Sequence, residues 1–469
     1  MKLVFLVQRI NYYRFYYSII REALVRGIEV ECWNYNGTDE GKKNLTPGEG
    51  YLQNFDPFSH PKTKTYGGRE DLNTLLLEDR SIDFVFTLMR PELDFDEQLL
   101  NQVTFRWVVL MGTGPDSFMA FGEPDHSIKK QRPPKLSRPL YFFTASDYWI
   151  ERGGRYLKTF SPESSNLMDE KCAEIKSVGQ PEFDVCTNID QDKVRLKYGI
   201  PEGKKIFLYL PFPYYVWPGS SQWARAFCGP FTKQADSPTG KISAGVVISW
   251  SISQMRRIYN FYRILTDPIA RNYWWREIRE ARVIASIKEF CLRNDLYLVV
   301  KPRLKWRVAD AVQETADLIV WDTEVDQNPS AFKELLSVSR LSASYFSHSV
   351  LTSVFLNVFY LNIIQPKEAF PDGDQLNQDS LFTYWIPRTK PSIFSFDRVC
   401  TSWSIEDVIE KLPQTPIENF VIDPDQRAAY IKKFIGFDDS DSCKRILDIL
   451  ENDTTNENQT HYTESTLYD

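Results

Sequence analysis

The chain has no uninterrupted apolar stretch of the roughly 18 residues that a membrane-spanning helix requires, so the reading is of a soluble or peripheral protein. Met1-Lys2 followed by Leu3 to Val7 opens like a signal peptide, but the apolar run stops at Gln8-Arg9, too soon for an h-region. It reads instead as a first buried strand. Cysteine is sparse. The seven present (Cys32, Cys172, Cys186, Cys228, Cys291, Cys400, Cys443) are odd in number and scattered, with no CxxC pair, which disfavours a disulfide framework or a zinc site and suggests a reducing, cytoplasmic setting. Histidine is scarcer still: His60, His126, His348 and His461 are the four in the sequence, and no two stand at metal-ligand spacing. No GxGxxG, Walker A or HExxH string occurs, which argues against a dinucleotide dehydrogenase, a P-loop enzyme and a zincin. Excess charge is lacking too. With 56 Lys+Arg against 63 Asp+Glu the net is -7, so no global field would gather nucleic acid.

What is present is a globular composition, 42% hydrophobic and 25% charged, in a chain of 469 residues, long enough for two or three domains. Lys2 to Val7, Tyr12 to Arg26 and Ile28 to Trp33 read as strand, helix and strand, with Gly27 ending the helix: the opening of a doubly wound parallel sheet. Ile82 to Leu88, Phe105 to Met111 and Tyr141 to Ala145 are further strand-like runs. The second of these leads into Gly112-Thr113-Gly114-Pro115, at the carboxyl edge where open α/β sheets bind ligands. A charged helix, Asp190 to Tyr198, precedes a new alternating series that starts at Ile206 to Leu210, so the domains are expected to run 1–185 and 205–450 with 186–204 joining them. Trp217 to Ile248, rich in Gly, Ser and Pro, reads as an inserted loop. Arg276 to Leu292 predicts a helix, Leu296 to Val300 and Leu341 to Tyr345 strands, Val350 to Tyr360 one apolar helix, and Asp423 to Phe434 a helix returning to the N-terminal half. The polar 451–469 tail is expected to be disordered.

Four segments carry a resemblance. Ser177-Val178-Gly179-Gln180-Pro181-Glu182-Phe183-Asp184 resembles the Val-Gly-Asn-Pro-Arg-Phe-Asp signature of CDP-glycerol glycerophosphotransferase-like and related surface-polysaccharide transferases of the GT-B superfamily. Arg195 to Pro201 leading into IFLYLPF, Leu298 to Arg303 (Val-Lys-Pro-Arg for the family's Val-Lys-Pro-His), and Glu334 to Asn357 are similar to that family's second domain. The resemblance implies an α/β fold of two Rossmann-like domains with a cleft between them. It implies a glycosyl or polyol-phosphate transferase taking a nucleotide sugar or CDP-polyol donor to a glycan or lipid-linked glycan acceptor, at the inner face of a membrane, with no cofactor and no metal. The alternatives are a nucleotide-sugar 2-epimerase and a non-catalytic assembly protein of the same fold.

The chemistry then falls to named residues. Lys301 and Arg303 follow a strand and supply cations that would neutralise a departing phosphate. Ser347, His348, Ser349 and Thr352 stand where a helix begins, and their hydroxyls and backbone N–H groups suit a diphosphate, though a plain helix cap would look the same. Arg9, Gly112 and Thr113 are the acceptor candidates. Relatives place a histidine before that Gly-Thr; here Met111 stands there and cannot take a proton. Asp116 is the nearest carboxylate and the candidate base, against its reading as a loop or cap aspartate. Thr352 and Ser353 occupy the place of the family's ribose-binding glutamate. Arg256 to Arg276, dense in Arg, Tyr and Trp, reads first as a helix pair with an aromatic core and second as a surface for an anionic membrane.

Overall fold

The computed structural model describes residues 1–8, 12–35, 61–88, 95, 97–110, 138–151, 173–211, 262, 268–302, 310–321, 329–345, 347–364 and 392–465. The chain divides into two compact units, the first built mainly from Met1–Ile189 and Arg427–Asp469, the second mainly from Asp190–Thr323 and Ala331–Gln426.

In chain order the first unit contains β1 (Lys2–Val7), α1 (Tyr13–Val25), β2 (Glu29–Tyr35), β3 (Lys62–Tyr66), α2 (Arg69–Glu78), β4 (Phe84–Thr87), α3 (Glu97–Gln102), β5 (Arg106–Leu110), β6 (Leu140–Thr144) and β7 (Ala173–Ser177). The strands form one seven-stranded sheet in the order β3-β2-β1-β4-β5-β6-β7. Every pairing is parallel. Both faces of such a sheet must be covered, which is why β1 is apolar from Leu3 to Val7 and has no exposed position. Leu3, Phe5 and Val7 pack with α1 on one face, where Phe5 stacks on Phe86 at 4.4 Å.

The second unit begins with α4 (Gln191–Tyr198), followed by β8 (Lys205–Leu210), α5 (Pro268–Arg293), β9 (Leu296–Val300), α6 (Asp310–Thr315), β10 (Leu318–Ile319), α7 (Ala331–Ser337), β11 (Ser339–Ser344), α8 (Ser349–Phe355), β12 (Phe359–Ile364), β13 (Cys400–Ser404) and α9 (Ile405–Glu410). Its sheet has six strands, again all parallel, in the order β10-β9-β8-β11-β12-β13. Both sheets thus follow the doubly wound pattern, reversing direction beside their first strand. α5 lays Val283, Ile284, Ile287 and Phe290 on the face that holds Phe207, Tyr209, Leu341 and Ala343. The opposite face of β11 carries Ser342 and Ser344, whose short side chains let α8 lie close: the Ser342 hydroxyl donates to Ser353 Oγ at 2.9 Å, and Ser353 Oγ donates to the Ser349 carbonyl at 2.8 Å.

Two further helices, α10 (Pro424–Phe434) and α11 (Ser442–Ser465), return the chain to the first unit. Cys443, Ile446, Leu447 and Leu450 of α11 enter the same apolar cluster as α1. This corrects two expectations. The second domain does not extend unbroken to residue 450, because the segment from Arg427 onward belongs to the first unit. The tail is not shapeless from residue 451, because α11 continues to Ser465 and its Glu451 and Asp453 pair with Arg26 at 2.8 Å and Arg106 at 3.1 Å. Polar composition misled there because the stabilising contacts are ionic and lie far away in sequence. The apolar run from Val350 to Tyr360 is likewise not one helix: α8 ends at Phe355, Asn357 takes a left-handed φ of 60°, and β12 starts at Phe359. Asparagine tolerates that conformation better than most side chains, and it ends the helix.

Candidate functional site

The second unit offers a carboxyl edge built around β8. Its neighbours β9 and β11 lie on either side, so the residues just past their ends converge where the strand order reverses. Lys301 and Pro302 follow β9, and Tyr345 and Ser347 to Ser349 follow β11. The structure therefore brings Lys301, Ser347, His348 and Ser349 to strand ends flanking β8. Arg303, Arg9, Met111, Gly112, Thr113 and Asp116 lie outside the described residues, as do Trp217 to Ile248 and most of the basic-aromatic stretch. β5, the strand leading to Gly112, ends at the buried Leu110.

The geometry refines what each residue can do. Lys301 is 8% exposed, its amide donates to the Tyr209 carbonyl at 3.0 Å, and its ammonium donates to the Pro302 carbonyl at 3.3 Å. Ser347 Oγ accepts from the Ser349 N–H at 3.3 Å, and the N–H groups of Val350 and Leu351 bond to the carbonyls of Ser347 (3.2 Å) and His348 (3.0 Å). The first N–H groups of α8 are thus already used within the chain; Ser347 and His348 are partly exposed residues of this loop, with the His348 Nε2 buried. Ser349 and Thr352 face inward. The Ser349 hydroxyl donates to Tyr360 Oη at 3.4 Å, and burial pushes that phenol above its ordinary pKa. A buried, paired hydroxyl supports the loop; it does not reach a ligand at the surface.

Sequence reasoning passed over Glu280. It sits in α5, three, four and seven residues before Val283, Ile284 and Ile287, on the stripe that faces the sheet. A carboxylate on an apolar stripe was the legible signal. Glu280 is 5% exposed and accepts hydrogen bonds from Tyr209 Oη and, at 2.8 Å, from Tyr345 Oη. Burial and the neighbouring Glu280 charge raise the Tyr209 pKa well above its ordinary value, so this phenol is the hydrogen-bond donor of the pair.

The signature from Val178 to Asp184 lies in the first unit and seats α11. Gly179 has φ +90°, and a Cβ there would stand 2.5 Å from Ser442 Oγ and 3.0 Å from the Arg445 guanidinium. Arg445 Nε donates to the Val178 carbonyl at 3.0 Å. Asp184 accepts from the N–H groups of Cys443 (2.7 Å) and Ser442 (3.3 Å), capping the helix.

Among the described residues no group of three or more His, Cys, Asp or Glu could hold a metal ion, and no helix is long and apolar enough to cross a membrane.

The two all-parallel sheets define a chain of two Rossmann-like units, the GT-B architecture. Among solved structures, this chain is similar to the wall teichoic acid polymerase TagF in a variant soaked with CDPG, with TM-score 0.51 and 12% identity, covering 97% of this chain and 90% of that one. Another TagF structure matches with TM-score 0.49 and 12% identity over 97% and 89%. UGT89C1 of Arabidopsis thaliana complexed with UDP matches with TM-score 0.45 and 11% identity over 96% and 99%. No family profile and no curated protein matches the sequence.

Proposed function

We propose that this protein is a transferase that takes a sugar or polyol phosphate from a nucleotide-activated donor to a glycan or lipid-linked glycan acceptor, in building a surface polysaccharide at the cytoplasmic face of a membrane. The observation that carries the proposal is the likeness, over 97% of the chain, to a teichoic acid polymerase soaked with CDPG. A CDP-linked donor is therefore the first to test. In this reading the donor lies against the second unit, with the Lys301 and Arg303 cations and the Ser347–His348 loop toward its phosphates, and with Ser349 and Thr352 supporting that loop. Arg9, Gly112 and Thr113 would meet the acceptor. Asp116 would take the proton of its attacking hydroxyl, the role that Met111 cannot fill.

Calorimetric titration with CDP, CMP, UDP, GDP and TDP tests it. CDP is expected to bind, and Arg303→Ala to weaken it by about 1–3 kcal/mol, the range for a charge-assisted contact. Absence of binding by all five nucleotides would sink the donor reading. A non-catalytic assembly role is favoured by one observation, the methionine at position 111. It predicts nucleotide binding without transfer, or neither.

A further inference from the structure

We infer that Glu280 is a positioning residue for the nucleotide site proposed above, holding in register the two strand ends from which the Lys301 and Ser347–His348 segments depart. The inference rests on that reading for its ligand, but its mechanical part stands independently. Tyr209 and Ala343 are register partners on adjacent strands, and Tyr345, two residues beyond Ala343, emerges on the same face, toward α5. Each phenol donates to one oxygen of the single Glu280 carboxylate. The carboxylate therefore clamps the carboxyl ends of β8 and β11 together from one face.

On the other face Ser344 Oγ donates to the Leu210 carbonyl at 2.8 Å. The strand pair is thus tied on both sides just before its chains diverge. Tyr209 receives the Lys301 N–H on its carbonyl, so the clamp extends to β9. Tyr345 precedes Ser347 by two residues, so the clamp also fixes where that loop begins. A buried carboxylate is costly unless its oxygens are satisfied. Core packing alone would be met by leucine at this position. Two tyrosines spent on this one side chain, at the place where doubly wound sheets bind ligands, point to a site being held rigid.

The test compares the parent with Glu280→Gln and Tyr345→Phe. Gln keeps the volume but offers one carbonyl oxygen where two phenols need acceptors, and Tyr345→Phe removes one arm without touching the helix. Amide hydrogen exchange on the nucleotide-free proteins is expected to rise about tenfold or more at 345–351 and at the Lys301 amide, with β12 and α9 unchanged. Uniform acceleration across the unit, or none, would overturn the positioning role, since a merely stabilising residue loosens the whole core. Titration with the five nucleotides named above is the second arm. Whichever nucleotide the parent binds should bind about tenfold more weakly to both variants, while the same affinity in folded variants would reject the link to the site. If the parent binds none of the five nucleotides, the proposed function and the ligand half of this inference fall together, and the exchange arm still decides whether Glu280 fixes the two segments.

Discussion

Replacing Asp184 by alanine should loosen α11 from the first unit. The carboxylate accepts the N–H groups of Ser442 and Cys443, and these are the first residues of a helix whose Ile446, Leu447 and Leu450 are fully buried. Losing an N-cap costs about 0.5–2 kcal/mol, and leaving a buried donor without a partner costs about 1–3 kcal/mol. Relief works the other way, because burial outweighs the hydrogen bonds and raises the Asp184 pKa, so the native site pays to hold the charge. The net expectation is a loss of about 1–3 kcal/mol. Since two units need not unfold together, the decisive assay is hydrogen exchange at the start of α11, with urea unfolding alongside. Exchange there should quicken by about 5- to 150-fold, and exchange within the second unit should stay as in the parent.

The pH dependence adds a second reading of the same residue. A carboxyl whose folded pKa is raised keeps its proton in the native state over a window in which the unfolded chain has released it. Its contribution to stability is therefore present at low pH and declines as pH rises through that window, which begins near the ordinary value of 3.8. Asparagine does not titrate. The stability of the parent relative to Asp184→Asn should fall from about pH 3.5 toward neutrality, while a parent that gains on the asparagine variant over that range would refute the reasoning.

Three other outcomes are expected. Gly436→Ala should accumulate poorly or unfold at least about 3 kcal/mol more easily, since φ is +95° and the new Cβ would stand 2.0 Å from the Ala145 carbonyl oxygen, a clash with backbone that cannot rotate away; a melting temperature equal to the parent's would count against it. Ending the chain after Leu450 should destabilise the first unit by about 1–3 kcal/mol, because Arg106, 4% exposed and stacked 3.6 Å from the Tyr141 ring, loses Asp453; unchanged urea midpoints would show that Glu174 alone suffices. Burial opposes the Asp79 charge, but hydrogen bonds from Lys2 at 2.7 Å and from Ser81 hold its pKa below the usual range, so its stabilisation is present above about pH 4 and is lost as pH falls further. Asp79→Asn should flatten part of the acid limb of a melting-temperature profile.

What could be read in advance was what local chemistry dictates. β1 and β9 match their expected spans, and α4 lies between Asp190, whose side chain accepts from the Asp192 and Lys193 N–H groups, and Gly199 in the left-handed conformation. Three of the edge strands were not visible. β3 (KTKTY) has polar, mostly exposed side chains, and β7 (AEIKS) and β13 (CTSWS) are only partly buried, so they lack the apolar run that marks a central strand. The site was legible at the level of loops and illegible at the level of side chains. That Ser347 and Ser349 follow a strand could be read, but whether the Ser349 hydroxyl points out or back toward Tyr360 depends on a partner eleven residues along the chain, on the next strand, that only folding brings alongside.

The segment that most resembles the transferase family, Gly179 to Asp184, is held to its residues by α11. Its glycine needs a positive φ and a close approach, and its aspartate caps a helix. In this chain both duties are structural and independent of any catalysis, so that segment speaks for the architecture. The chemistry rests on positions where this chain departs from the family, and Met111 is the sharpest. If Asp116 has taken over the base role, Asp116→Asn should lower turnover about 10²- to 10⁴-fold with nucleotide affinity unchanged. Adding Met111→His to that variant restores a titratable group directly after β5, at the carboxyl end of a parallel strand, and should recover at least about tenfold of the loss. Recovery would establish that a base at this edge is what the reaction needs. Asp116→Asn with parental turnover would remove the base assignment, and a double variant no faster than the single one would show that the β5 edge does not face the reacting hydroxyl.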